Sequence, residues 1–167
     1  GNMGYVGPGL LERLRFSMPQ AFLAGIDTGY FAHCLTGVSV FPEDRLDVQY
    51  FADLRKPPQD LLEGVDVIVH LAAISNDPMG DRFKEVTHDI NFQASIELAK
   101  KAKAAGCSRF VFASSCSVYG FAEGEARNEQ APLNPLTAYA KSKIGMEEEL
   151  NKLADDNFVV TCLRFAT

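Results

Sequence analysis

Positive charge is scarce in this sequence. Sixteen lysines and arginines stand against 22 aspartates and glutamates in 167 residues, giving a net charge of -6 and an isoelectric point near 5.0. Such a surface builds no cationic field, so neither nucleic acid nor anionic lipid is expected as a partner. Long apolar runs are missing as well. The longest, Val65 to Ile74, is broken by Asp66 and His70 and is too short to cross a bilayer. The four cysteines, Cys34, Cys107, Cys116 and Cys162, are scattered without a C-x-x-C pair. The three histidines, His33, His70 and His88, show no zinc-ligand spacing beyond the adjacent His33-Cys34. No metal site is therefore expected, and the thiols read as the reduced cysteines of a cytoplasmic protein. There is no internal repeat and no low-complexity tract. Neither an initiator methionine nor a basic-then-apolar leader opens the chain, which reads as a piece of something longer.

What is present is the composition of one soluble globular domain, 47% apolar and 23% charged. Leu10 to Phe16 has a helix pattern that Pro19 ends, followed by a strand-like run from Ala21 to Ile26. Thr36 to Val40 and Val48 to Phe51 are weaker strand candidates, and Pro57-Pro58 opens a short helix through Leu62. Val65 to Leu71 is apolar enough for a strand covered on both faces. Phe83, Val86, Ile90, Ala94, Leu98 and Ala102 recur at helical spacing over Arg82 to Ala105, with Gly106 as the C-cap. A strand over Arg109 to Ala113, a helix over Thr137 to Asp155 and a strand over Phe158 to Phe165 complete the series. Strands alternating with helices imply parallel strands and a doubly wound α/β sheet. The stretch from Gly120 to Pro135 is too rich in proline and glycine for a regular element, and loops of that length are usually functional.

Gly1, Gly4 and Gly7 form a G-x-x-G-x-x-G run ahead of the first helix. In a dinucleotide site such glycines let the backbone approach a pyrophosphate, which the helix N-terminus then attracts. Asp27 ends the next strand, 20 residues after Gly7, where an acid accepts hydrogen bonds from the adenosine ribose. A 2'-phosphate would meet like charge there, which points to NAD rather than NADP. Tyr139 and Lys143 lie one helical turn apart and share a face. A nearby ammonium stabilises a phenolate, which a tyrosine needs in order to exchange protons near neutral pH. Ser114, Ser115 and Ser117 follow an apolar strand at the carboxyl end, where open parallel sheets place their ligands.

Taken in order, these segments resemble the extended short-chain dehydrogenase/reductases of the NAD-dependent epimerase/dehydratase kind. The resemblance rests on the glycine run, Asp27, Asp53-Leu54, His70-Leu71-Ala72-Ala73, Asn91, the segment from Ser114 to Gly120, Pro135 with Tyr139 and Lys143, and Leu163-Arg164-Phe165. It implies a Rossmann sheet that occupies residues 1–167, lacks its first strand before Gly1 and lacks a C-terminal substrate domain after Thr167. It also implies that Asp53 and Leu54 lie against the adenine and that Leu71, Ala72 and Ala73 pass under the nicotinamide end of NAD. Ser115, Tyr139 and Lys143 would be the catalytic set, with Tyr139 as acid/base, Lys143 on the nicotinamide ribose and Ser115 on the reacting hydroxyl.

The activity implied is nucleotide-sugar epimerisation by transient oxidation of a sugar hydroxyl, in a protein expected to be a homodimer. The alternatives are a dehydratase, decarboxylase or reductase of the same family, or a non-catalytic dinucleotide sensor. Dehydratases carry an Asp-Glu pair at the positions of Cys116 and Ser117, and no carboxyl stands there. Ser75-Asn76-Asp77-Pro78 and the Gly120 to Pro135 loop are candidates for touching the sugar. In a strand order of 3-2-1-4-5-6 the strand before Gly1 would be central, so the 167 residues alone are expected to be aggregation-prone and to bind NAD feebly.

Overall fold

The computed structural model describes residues 1–31, 40–75, 82–121 and 126–166. The Thr36 to Val40 strand candidate, His33, Cys34, and the Asn76-Asp77-Pro78 part of the first sugar-contact candidate fall almost wholly outside them. The chain divides into two compact units, Gly1–Leu61 and Leu62–Thr167.

In the first unit, α1 (Gly7–Ser17) starts on the last glycine of the run, with Pro8 fixing the backbone of its first turn. Leu11 faces inward. The helix stops at Met18, whose N–H still reaches the Leu14 carbonyl, and Pro19 follows. Strands β1 (Ala24–Asp27) and β2 (Val48–Phe51) pair in parallel, with Ala24 opposite Val48 and Asp27 opposite Phe51. Arg15 ties α1 to the approach of β2, donating to the Arg45 carbonyl at 2.8 Å and to Asp47 at 2.9 Å. The helix expected after Pro57-Pro58 is absent, and the segment runs in turns. Two prolines at the head of a six-residue stretch leave too few intrahelical hydrogen bonds to offset nucleation.

In the second unit, β3 (Val67–His70), β4 (Arg109–Ser115) and β5 (Val159–Phe165) form a wholly parallel sheet in the order β3-β4-β5. Both ladders are parallel, as a doubly wound sheet requires. Along β4, Phe110, Phe112 and Ser114 turn into the covered face, while Val67, Val69, Val159, Leu163 and Phe165 remain exposed on their strands. Helix α4 (Ala138–Leu153) packs over β4, burying Ala140, Met146 and Leu150. Its N-cap is Thr137, whose hydroxyl accepts from the Ala140 N–H at 3.1 Å.

The single helix expected from Arg82 to Ala105 is three pieces. Helix α2 (Lys84–His88) and helix α3 (Ser95–Ala104) flank a π-helical turn over Asp89–Ala94. The expected apolar stripe holds at Leu98 and Ala102, which are buried, and is rotated in its first turns. Phe83 and Val86 are exposed, and Thr87, Asn91 and Ser95 are buried in their place. Two of these polar groups have definite partners. Asn91 accepts from the Ile74 N–H at 2.8 Å and donates to the Ile74 carbonyl at 2.9 Å. The Ser95 hydroxyl donates to the Ile90 carbonyl at 2.9 Å across the π turn. Gly106 follows α3 with φ +89, the left-handed conformation expected of it.

Candidate active site

The glycine run and Asp27 meet within the first unit. Met3 is buried at 3% exposure, and its N–H donates to Asp27 Oδ2 at 3.0 Å. Asp27 Oδ1 accepts from the Gly29 N–H at 2.8 Å. The carboxylate that ends β1 is thus oriented by the glycine segment itself. A Cβ at Gly7 would drive into the Asn2 backbone, so only glycine lets the segment fold back there. The N-terminus of α1 has no side-chain cap and no acid in its first turn. An uncapped, acid-free helix start beside a cradle that excludes a Cβ suits a pyrophosphate. Leu54 is buried. Asp53 is bound by the Arg55 guanidinium at 2.6 Å, which holds its carboxyl below the usual range.

In the second unit, Leu71, Ala72 and Ala73 leave the carboxyl end of β3 half-buried, pinned from behind by the Asn91 clamp on Ile74. His70, 4% exposed, lies stacked on Phe112 with ring centroids 6.0 Å apart, and its Nε2 is 2.8 Å from Ser95 Oγ. Because the Ser95 hydrogen goes to Ile90, Nε2 is the donor. Burial, assisted by the charge of Lys143, pushes the His70 pKa down to about 3.

Lys143 is only 3% exposed. Its Nζ donates to the Ala113 carbonyl at 2.7 Å and lies 4.6 Å from the Phe112 ring centroid and 5.3 Å from that of Tyr139. Among the described residues no carboxylate forms an ion pair with it. Burial lowers its pKa to about 8, with Glu147 on the next turn acting in the opposite sense. One bond to Ala113 leaves two N–H donors for a ligand. Ser115, two residues beyond Ala113, is buried and caps the 3-10 turn Cys116–Tyr119, its oxygen accepting from the Ser117 N–H at 3.2 Å. The fold therefore brings Tyr139 and Lys143 to the carboxyl end of β4, where Ser115 stands.

Sequence reasoning passed over Glu147. It is buried, accepts from Ser114 Oγ at 2.5 Å and is paired with Arg164 at 2.6 Å. Its signal was its place four residues after Lys143, on the same helical face.

The sequence profile described as the NAD dependent epimerase/dehydratase family matches residues 1–167. An uncharacterized UDP-glucose epimerase, YtcB of Bacillus subtilis, is 32% identical over 155 residues, which cover 89% of this chain and 48% of that protein. The UDP-glucose 4-epimerase of Streptomyces lividans is 28% identical over 148 residues, covering 88% of this chain and 44% of its own. Among solved structures, MoeE5 in complex with UDP-glucose and NAD superposes with a TM-score of 0.80 at 28% identity, over 99% of this chain and 52% of that one. The chain spans about half the length of the relatives it matches. With its profile matched from end to end, the chain belongs to the NAD-dependent epimerase/dehydratase family.

Proposed function

We propose that this chain is the NAD-binding part of a nucleotide-sugar epimerase that acts by transient oxidation of a sugar hydroxyl. The observation that carries the reading is Lys143: a cation 3% exposed, without a carboxylate ion pair among the described residues, set beside a tyrosine ring. Burying such a charge costs several kcal/mol, and a merely structural lysine would reach solvent or an acid. Proteins keep groups of this kind where chemistry uses them.

Residues 1–167 are assigned to one NAD-binding domain. Gly1, Gly4 and Gly7 would hold the pyrophosphate, Asp27 the adenosine ribose, and Asp53 and Leu54 the adenine. Leu71, Ala72, Ala73, Tyr139 and Lys143 would hold the nicotinamide end. When bound, NAD supplies the oxidation and later re-reduction of one sugar carbon. Tyr139 takes the hydroxyl proton during oxidation and returns it afterwards. Below pH 8 Lys143 is charged and favours the phenolate that this requires. Ser115 donates its hydroxyl hydrogen to the reacting sugar oxygen and keeps it oriented. Cys116 and Ser117 offer no carboxyl for elimination of water, which favours epimerisation over dehydration. The relatives named for UDP-sugars make a UDP-sugar the first substrate to try; the homodimer expected from the family resemblance is the assembly to look for.

The test is Tyr139→Phe in the full-length protein. NAD affinity is expected to stay near the wild-type value while turnover of nucleotide-sugars falls by about a hundredfold to ten-thousandfold. Lys143→Met is expected to weaken both. Near-normal turnover in Tyr139→Phe would move the proton role elsewhere.

A further inference from the structure

One ion pair in the second unit, a buried carboxylate with a half-buried guanidinium, is assigned no contact with sugar or cofactor in the reading above. Glu147, 6% exposed on α4, receives Arg164 of β5 through Nη2 to Oε2 at 2.6 Å and through Nε to both carboxylate oxygens at 3.0 and 3.2 Å. Its Oε1 also accepts from Ser114 Oγ at 2.5 Å. Arg164 continues from Nη1 to the Tyr119 hydroxyl at 2.8 Å and to the Glu129 carbonyl at 3.3 Å. The Tyr119 ring centroid lies 5.2 Å from the guanidinium carbon.

The placement of these partners is informative. Ser114 immediately precedes Ser115, and Tyr119 closes the 3-10 turn that Ser115 opens. The turn is therefore gripped at both ends by one ion pair, rooted on the helix that carries Tyr139 and Lys143. Stability alone is a poor reason for such a pair, because apolar residues of equal volume often do as well or better. Apolar residues cannot, however, direct hydrogen bonds to two separate hydroxyls.

We propose that Glu147 and Arg164 are positioning residues, which fix the Ser115 turn relative to the Tyr139 and Lys143 face of α4. The group holding the reacting hydroxyl and the group taking its proton then address the same oxygen. The chemistry in this proposal rests on the epimerase reading, and its geometry does not.

The deciding variant, made in the full-length protein, is the paired exchange Glu147→Leu with Arg164→Met, since Glu147→Gln alone leaves a half-buried guanidinium without its counter-charge. The thermal midpoint is expected to stay near wild type, with NAD affinity and KM changed by less than about threefold and kcat lowered about tenfold to a hundredfold. A kcat that stays at the wild-type level along with the midpoint would show a merely structural pair and overturn the proposal. A second readout needs no catalysis. Alkylation of half-buried Cys116 by iodoacetamide, followed by peptide mass spectrometry, is expected to run at least about tenfold faster in the paired variant, with fully buried Cys107 unchanged as the reference for global opening. Equal Cys116 rates in the two proteins would overturn the positioning role. If the wild type converts no nucleotide-sugar while Cys116 still responds, only the epimerase reading fails.

Discussion

A histidine held at 4% exposure by one hydrogen bond to Ser95 titrates differently folded and unfolded. Burial holds the folded His70 pKa at about 3, whereas an unfolded histidine titrates near 6.5. Between those values the unfolded chain binds the proton and the folded chain does not, so stability rises with pH across the window and is complete above 6.5. Each pH unit lost within it costs about 1.4 kcal/mol from this one residue. His70→Gln retains a donor for Ser95 without a titrating ring. Urea unfolding at pH 6.5 and 4.5 is expected to show a loss about 2 to 3 kcal/mol smaller in the variant than in wild type. Equal losses would mean that the ring becomes charged within the fold. At this scale the sequence was legible where spacing fixes a shared helical face, as with Tyr139 and Lys143, whose ammonium lies 5.3 Å from the ring centroid. It was opaque for the pairing of Glu147 with Arg164, which lie 17 positions apart on a helix and a strand. Nothing in a list of charges says which two will be buried together.

Elements were legible where hydrophobic period and breakers agree. The strand expected over Val48 to Phe51 has those same bounds, and β4 runs two residues beyond its expected end at Ala113, to Ser115. The long helix misled because a π turn absorbs one residue without destroying three- and four-residue spacing. Phe83 and Val86 kept the pattern of an inner stripe and ended outside, while Asn91 went in to meet a backbone amide that the sequence does not display. That exchange has a measurable cost. Asn91→Ala strands both the N–H and the carbonyl of Ile74, and an unmet buried polar group costs about 1 to 3 kcal/mol. Chemical denaturation is expected to show a loss of about 2 kcal/mol or more, accompanied by weaker NAD binding as the Leu71 to Ala73 segment loosens. A loss below about 0.5 kcal/mol would show that water takes over the bonds and that the clamp is dispensable.

For the whole molecule, alternation of strand and helix was enough to read a parallel α/β fold, since parallel strands require crossovers. The division into two separately paired sheets was less visible, because ladders join residues remote in sequence. Cofactor choice belongs to this scale too. Asp27, steered by the Met3 and Gly29 amides, is expected to make the full-length protein bind NAD at least about tenfold more tightly than NADP, and Asp27→Ala is expected to narrow the gap. Isothermal titration with both cofactors checks it, and equal affinities in the wild type would remove Asp27 from that role. The unequal sheets also set an order of opening. Among the described residues of these 167, β1 and β2 are two four-residue strands that pair with each other, a marginal arrangement when no further strand joins them, whereas β4 is flanked on both sides and sends Phe110 and Phe112 into the core at 0% and 1% exposure. In deuterated buffer the Phe110 and Phe112 amides are therefore expected to retain their protons until the second unit unfolds as a whole. Those of β1 are expected to exchange earlier, through partial openings that leave β4 protected.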